Sequence, residues 1–230
     1  MIEILHIPYD KEGEFIERVN RFVGKLRVDD EIVLAHIHDT GRLSELLYRG
    51  NRVLLKKAKN PHRKTQWDVI AALFDGEWIF TNSSYHSEIF HKTLLKLPEF
   101  GLRGFKIKRE VKVGTSRLDF VLTEKNRKIL VEVKGCTLRE EDVAMFPDAP
   151  TERGKKHVLE LIEAIKDGYE AWLVFLIMHT KARCFSPNRK RDRDFAEVFT
   201  QAIQSGVKII PLKYKYDGRV LWYVDKAGLC

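Results

Sequence analysis

ILVEVKG, residues 129–135, places an acid and a lysine two positions apart inside a run that otherwise belongs in a hydrophobic core. Side chains alternate along an extended strand, so Ile129, Val131 and Val133 face one way and Leu130, Glu132 and Lys134 the other. Apolar residues on both faces predict a strand covered on both sides, where a charge is costly unless it is paired or bound to a cation. RLDFVLT, residues 117–123, reads as the preceding strand and polar EKNR, 124–127, as the connecting loop. That register sets Asp119 across from Glu132. Two carboxylates so placed can hold Mg²⁺ or Mn²⁺ through hard oxygen ligands, with the Val133 carbonyl as a further ligand. Such a cation neutralises phosphate charge and acidifies a coordinated water, while Lys134 positions that water and stabilises charge at the five-coordinate phosphorus. Asp119, Glu132 and Lys134 are therefore the candidate catalytic set. The competing reading is a solvated hairpin face whose three charges serve only solubility.

The elements around this strand divide the chain in two. Residues 1–82 read as short strand-like stretches (GEFIERV, NRFVGKLRV, EIVLAHI, NRVLLKKA, WDVIAALF, EWIFTN) cut by turn signals, the pattern of a small OB-like β-barrel, with a short helix expected at RLSELL. From residue 83 the period changes. Phe90, Leu94 and Leu97 share a helical face, three strands follow, and then a loop is expected over 136–150. Val158, Leu161, Ile162 and Ile165 follow helical spacing, with Gly168 as the stop. AWLVFLIM reads as a buried strand and DFAEVFTQAIQSG as an amphipathic helix. A final hairpin turns at Asp217-Gly218. The expected fold is α/β (α+β): an OB-like domain over 1–82, then a mixed sheet flanked by helices over 83–230.

Composition bounds the partners. The chain has 230 residues, 44% of them hydrophobic, and 41 Lys plus Arg against 33 Asp plus Glu give a net charge of +8. Basic residues cluster at 56–64, 103–112 and 183–194, which favours a polyanion, with DNA as the expected partner and RNA as a second one. No apolar run reaches the roughly 18 residues of a membrane span, and MIEILHIPYDKEGEF is too acidic and too broken by Pro8 and Gly13 for a signal peptide. Cys136, Cys184 and Cys230 are far apart, odd in number and in no metal-ligand spacing, so they are expected to be reduced thiols of a cytoplasmic protein. Phe15, Phe22, Trp67 and Trp78 are candidates for stacking bases, against the commoner fate of aromatic residues as core. The terminal strand pair, rich in Tyr, Trp and Val, is a candidate surface for a homodimer.

An acid on one strand before E-x-K on the next, with flanking helices, resembles the PD-(D/E)xK nuclease-like fold. FPDAPTERGKKHVLEL at 146–161, VEVKGCTL at 131–138 and HDTGRLSELL at 38–47 are similar to the sugar fermentation stimulation protein family (SfsA family). The resemblance covers nearly the whole chain. It implies an N-terminal OB-fold, a nuclease-like C-terminal domain, DNA binding and a link to the regulation of sugar metabolism. Matched by position, it gives Asp119 and Glu132 as metal ligands beside Lys134, with Asp148, Thr151, Glu152, Gly154, Arg153, Lys156 and His157 at the mouth of the site. There Thr151 can cap a helix whose N-terminus faces phosphate, and Arg153 and His157 lie one turn apart. Glu88 and Glu110 are weaker candidates for an additional acid. Nucleic-acid contacts are expected from Arg42, Lys56, Lys57, Arg63, Lys64, Arg117, Arg153, Lys156 and His157. Where this family usually has Asn before Thr40, Gly41 and Arg42, the chain has Asp39, which would weaken a phosphate contact there. Two functions compete: a DNA-binding protein with a Mg²⁺-dependent nuclease site, and a non-catalytic DNA-binding regulator that uses the nuclease-like domain for grip.

Overall fold

The computed structural model describes residues 1–60, 62–113 and 116–230. The turn expected over 60–64 includes residue 61, which lies outside them.

Strand β1 (Ile2–His6) leaves the N-terminal unit at once and pairs near the chain's other end. β2 (Lys11–Asn20), β3 (Val23–Val28), β4 (Glu31–His36), β5 (Arg52–Lys57) and β6 (Trp67–Phe74) form the expected barrel. It is closed by a parallel contact between β4 and β6 at Ala35 and Trp67. Asp75 and Gly76, both at positive φ, turn β6 into β7 (Glu77–Phe80), as a two-residue hairpin requires. RLSELL is not a helix: one turn at Leu43 to Leu47 is closed by two bonds to the Leu43 carbonyl.

β7 touches the C-terminal sheet where Trp78 faces Tyr216. That sheet runs β15 (Lys208–Tyr216), β13 (Glu170–Ile177), β10 (Arg127–Cys136), β9 (Ser116–Glu124) and β8 (Lys106–Val113). It is mixed, because β10, β13 and β15 are mutually parallel and β8 to β10 antiparallel. Helix α1 (His86–Lys96) buries Ile89, Phe90, Thr93 and Leu94 against one face. Helices α2 (Glu152–Lys166) and α3 (Arg193–Gln204) cover the other, burying Val158, Leu161, Phe195 and Phe199. Thr151 caps α2 through the Gly154 amide and Asp192 caps α3 through that of Phe195. The α1-side core joins Phe15, Leu26 and Ile70 of the barrel to Val131, Val174 and Tyr214 of the sheet, so the two units share one interior.

Three expectations are corrected. The segment expected as a loop over 136–150 holds β11 (Leu138–Glu140) and β12 (Val143–Phe146), which with β14 (Cys184–Pro187) and β17 (Gly228–Leu229) make a second small sheet. Strands this short carry too few residues for period two to stand out. That sheet brings the last residues beside β14, and Cys184 and Cys230 are joined in a disulfide across 46 positions, so only Cys136 is a free thiol. The terminal hairpin is not an open edge either. β1 pairs with β16 (Val220–Lys226), and Tyr214, Tyr216, Leu221 and Tyr223 are buried, so these side chains fill the interior.

Candidate active site

β9 and β10 pair from Arg127–Glu124 to Val131–Phe120, and the same register carried one step further sets Asp119 beside Glu132. There the backbone ladder gives way: the Val133 amide donates to Asp119 Oδ2 at 2.8 Å. Because the N–H and C=O of one residue leave a strand on the same side, the Val133 carbonyl is directed toward Asp119 as well. Lys134 Nζ donates to Glu132 Oε1 at 2.5 Å. Glu132 is only 2% exposed, and its Oε2 has no hydrogen-bond partner among the described residues.

His157 is buried on α2, and its Nδ1 bonds to Glu132 Oε1. On the far side of the ring, Arg153 Nε approaches Nε2 at 3.5 Å. A guanidinium only donates, so Nε2 accepts and the ring proton sits on Nδ1, aimed at Glu132. The expectation that His157 contacts nucleic acid is thereby corrected: it lies inside the protein and orients the carboxylate. Arg153 remains at the wall of the cleft and acts on Glu132 through His157.

The two acids are held oppositely. Burial, reinforced by the charge of Glu132, pushes Asp119 up to about 6. Burial presses Glu132 in the same direction, but the His157 bond and the Lys134 ammonium outweigh it and hold its carboxyl below the usual range.

Beside Lys134 opens a cleft of about 280 Å³, walled by Arg21, Asp39, Thr40 and Gly41 of the barrel and by residues 145–151, Arg153 and Gly154 of the C-terminal unit. One clasp builds this wall from two sequence motifs. Asp148 accepts from the Leu43 amide at 3.0 Å, and a Cβ at Gly41 would lie 2.4 Å from Asp148 Oδ2, so only glycine admits the carboxylate. Arg18 donates to the carbonyls of Gly41, Arg42, Arg21 and Asp39. Arg191 donates to the Asp148 carbonyl and pairs with Glu45. Asp39 turns inward to the Gly41 amide, and burial raises its carboxyl to about 6.

The other named residues separate into groups. Lys56, Lys57 and Arg63 line a second hollow, of about 270 Å³, on the barrel. Lys64 and Arg42 are exposed side chains outside both hollows. Arg117 is exposed and pairs with Glu110, Lys156 points outward toward Glu160, and Glu152 pairs with Lys155. Of the four aromatic residues, Phe15 is core, Trp67 and Trp78 are partly buried against the core, and Phe22 alone is exposed.

Sequence reading misses Arg18, Arg191 and His86. His86 packs over the bare backbone of Gly135, where a Cβ would lie 2.1 Å from its ring. Its Nε2 is buried without a partner among the described residues, and burial, then the Lys134 charge, lowers it to about 4. The glycine directly after the lysine is the one signal that a bulky group lies over that strand.

Comparison with known proteins gives a consistent result. A family model described as the sugar fermentation stimulation protein RE domain matches residues 84–219, and an SfsA N-terminal OB domain model matches 16–81. A sugar fermentation stimulation protein homolog of Methanococcoides burtonii is 45% identical, over 99% of this chain and 95% of its own. One from Thermotoga neapolitana is 46% identical over 98% of each chain. The structure of Pyrococcus furiosus SfsA in complex with Ca²⁺ superposes over 100% of both chains with a TM-score of 0.92 at 32% identity.

Proposed function

The chain belongs to the sugar fermentation stimulation protein family, and from that premise we propose that it binds DNA through phosphate contacts, largely without regard to base sequence, and hydrolyses phosphodiester bonds at Asp119, Glu132 and Lys134. The observation that carries this reading is the buried Glu132, whose Oε2 lacks a partner among the described residues, beside an Asp119 whose ionisation is opposed by burial and by that same neighbour. A hard divalent cation answers both. Mg²⁺ or Mn²⁺ would suit such a pair, since these ions are bound through one or two carboxylates with water and phosphate completing the shell. Asp119, Glu132 and the Val133 carbonyl would hold the ion, which would neutralise phosphate charge and acidify the attacking water. The Pyrococcus furiosus relative was solved with Ca²⁺, which has the same preference for oxygen ligands.

The chain's own groups have distinct tasks. Lys134 supplies a positive charge at the scissile phosphate. His157, backed by Arg153, fixes the orientation of Glu132. Arg21 and the capped N-terminus of α2 give the cleft anion-binding walls. As a protein that would act on the cell's own DNA, it is proposed to work in the cytoplasm.

One observation favours a second reading. Lys134 and His157 already satisfy Glu132 Oε1, so the site is partly compensated without a metal, as in a regulator of sugar-metabolism genes that only grips DNA. The deciding experiment incubates the purified protein with single-stranded, duplex, flapped and junction DNA and with RNA, each with Mg²⁺, Mn²⁺ or EDTA. Metal-dependent cutting that Asp119→Ala and Lys134→Ala both abolish is expected. Binding without cutting on every substrate would reject the enzyme and leave the regulator.

A further inference from the structure

The hollow on the barrel carries Lys56, Lys57, Lys59 and Arg63 against one carboxylate, Asp68. Asp68 is engaged already, by Arg63 at 2.7 Å and by His38 at 3.0 Å. Lys57 and Lys59 are exposed, and the Lys56 ammonium is anchored on the Pro8 carbonyl. The hollow therefore presents an excess of positive charge at a fixed place.

A row of rings starts at its rim. His38 meets His36 edge-on with centroids 4.4 Å apart. His36 in turn lies nearly parallel to Phe22, 13° between planes at 6.2 Å. Phe22 is 44% exposed, so part of its ring is open to solvent. The guanidinium of Arg21 lies 5.9 Å from the Phe22 centroid, and Arg21 is also a wall of the cleft beside Lys134. The order along the surface is cationic hollow, flat rings, arginine, then the carboxylate site. Ser83, just before α1, donates to the His38 carbonyl at 2.7 Å and fixes the row to the C-terminal unit.

Anion sites separated by flat apolar faces match a polymer in which phosphates alternate with unpaired bases. A duplex hides its base faces in its own stack and has nothing to lay on Phe22. We propose that the surface from Lys57 through His36 and Phe22 to Arg21 is a track for single-stranded DNA, which takes phosphates in the barrel hollow, stacks a base on Phe22 and leads the strand to Lys134. This rests on the DNA-binding reading above and names the form of DNA.

The test is fluorescence anisotropy in EDTA, so that nothing is cut, with a labelled single strand, the blunt duplex of the same sequence and the matching RNA strand. The wild type is expected to favour the DNA single strand. Phe22→Ala is expected to weaken single-strand binding by about 5- to 150-fold, the loss of one stacking platform, with duplex binding unchanged. Phe22→Trp is expected to restore it, which separates stacking from any effect on folding. Lys57→Ala is expected to make single-strand affinity less steep in salt by about one phosphate contact. Duplex binding equal to or tighter than single-strand binding, with Phe22→Ala silent, overturns the track and leaves the DNA-binding reading standing. Tighter binding of the RNA strand overturns the assignment to DNA. Failure of the wild type to bind any of the three removes both readings.

Discussion

Exchanging Asp119 for Asn should make the protein more stable while destroying its site. Burial and the neighbouring Glu132 raise Asp119 from the ordinary 3.8 to about 6. Each tenfold change in a proton equilibrium is worth about 1.36 kcal/mol, so keeping Asp119 ionised costs the fold roughly 3 kcal/mol at neutral pH. Asn removes the charge but keeps a side-chain oxygen that can still accept from the Val133 amide, now bonded to Asp119 at 2.8 Å. The sign follows from linkage. A folded-state value above the unfolded one means that stability is complete below about 3.8 and is lost as pH rises to about 6. Asp119→Asn should therefore exceed the wild type by up to about 3 kcal/mol at pH 8 and by less than about 1 kcal/mol near pH 4. Urea unfolding in EDTA at the two pH values measures this, and the core shared by the barrel and the sheet favours a single transition. Saturating Ca²⁺ at pH 8 should stabilise the wild type, by about 2.7 kcal/mol at a hundredfold excess over Kd, and leave the variant unmoved. A variant no more stable than the wild type at pH 8, or a difference that persists undiminished at pH 4, would refute the claim that the two carboxylates are crowded together out of water.

His157→Ala should cost about 1.5–3 kcal/mol, the worth of a hydrogen bond to a charged group. Glu132 lies below its usual range through the His157 bond and Lys134; its contribution is present above the unfolded value and is lost as pH falls through the folded one. Acid unfolding of the variant, followed by circular dichroism, should therefore begin at higher pH. Gly135→Ala brings a Cβ to 2.1 Å from the His86 ring and should destabilise by about 1–3 kcal/mol; a double-mutant cycle with His86→Ala should recover most of that loss. Cys230→Ser opens the 46-position loop to Cys184 and should lower stability by up to about 4 kcal/mol on the loop-entropy account. Thermal unfolding with and without dithiothreitol should move the wild type toward that variant and leave the variant itself unchanged.

The shared face of Glu132 and Lys134 is legible because alternation along ILVEVKG is a local rule, whereas a loop over 124–127 leaves the strand register loose by a residue until the Lys125–Asn126 turn fixes it. α2 is legible for the same kind of reason: Thr151 caps it and its apolar face recurs at helical spacing. What escapes a linear reading is contact between distant segments. His157 carries the same letter whether it meets a phosphate or Glu132; only the fold of α2 onto β10 decides, and it turns an expected ligand contact into a support. Asp39, Gly41, Asp148 and Arg191 likewise read as separate loop residues until the sheet brings them together. That clasp has a functional consequence. It makes the barrel part of the cleft wall beside Lys134, so the unit that carries Phe22 and the cationic hollow is held in fixed register with the carboxylates. On the track proposed above, a flexible tether would only raise the local concentration of nucleic acid, whereas a rigid joint would let a strand held on the barrel arrive at Glu132 in one orientation. Asp148→Ala, which removes the acceptor of the Leu43 amide without touching either acid, should therefore impair delivery of a long strand more than it impairs metal binding.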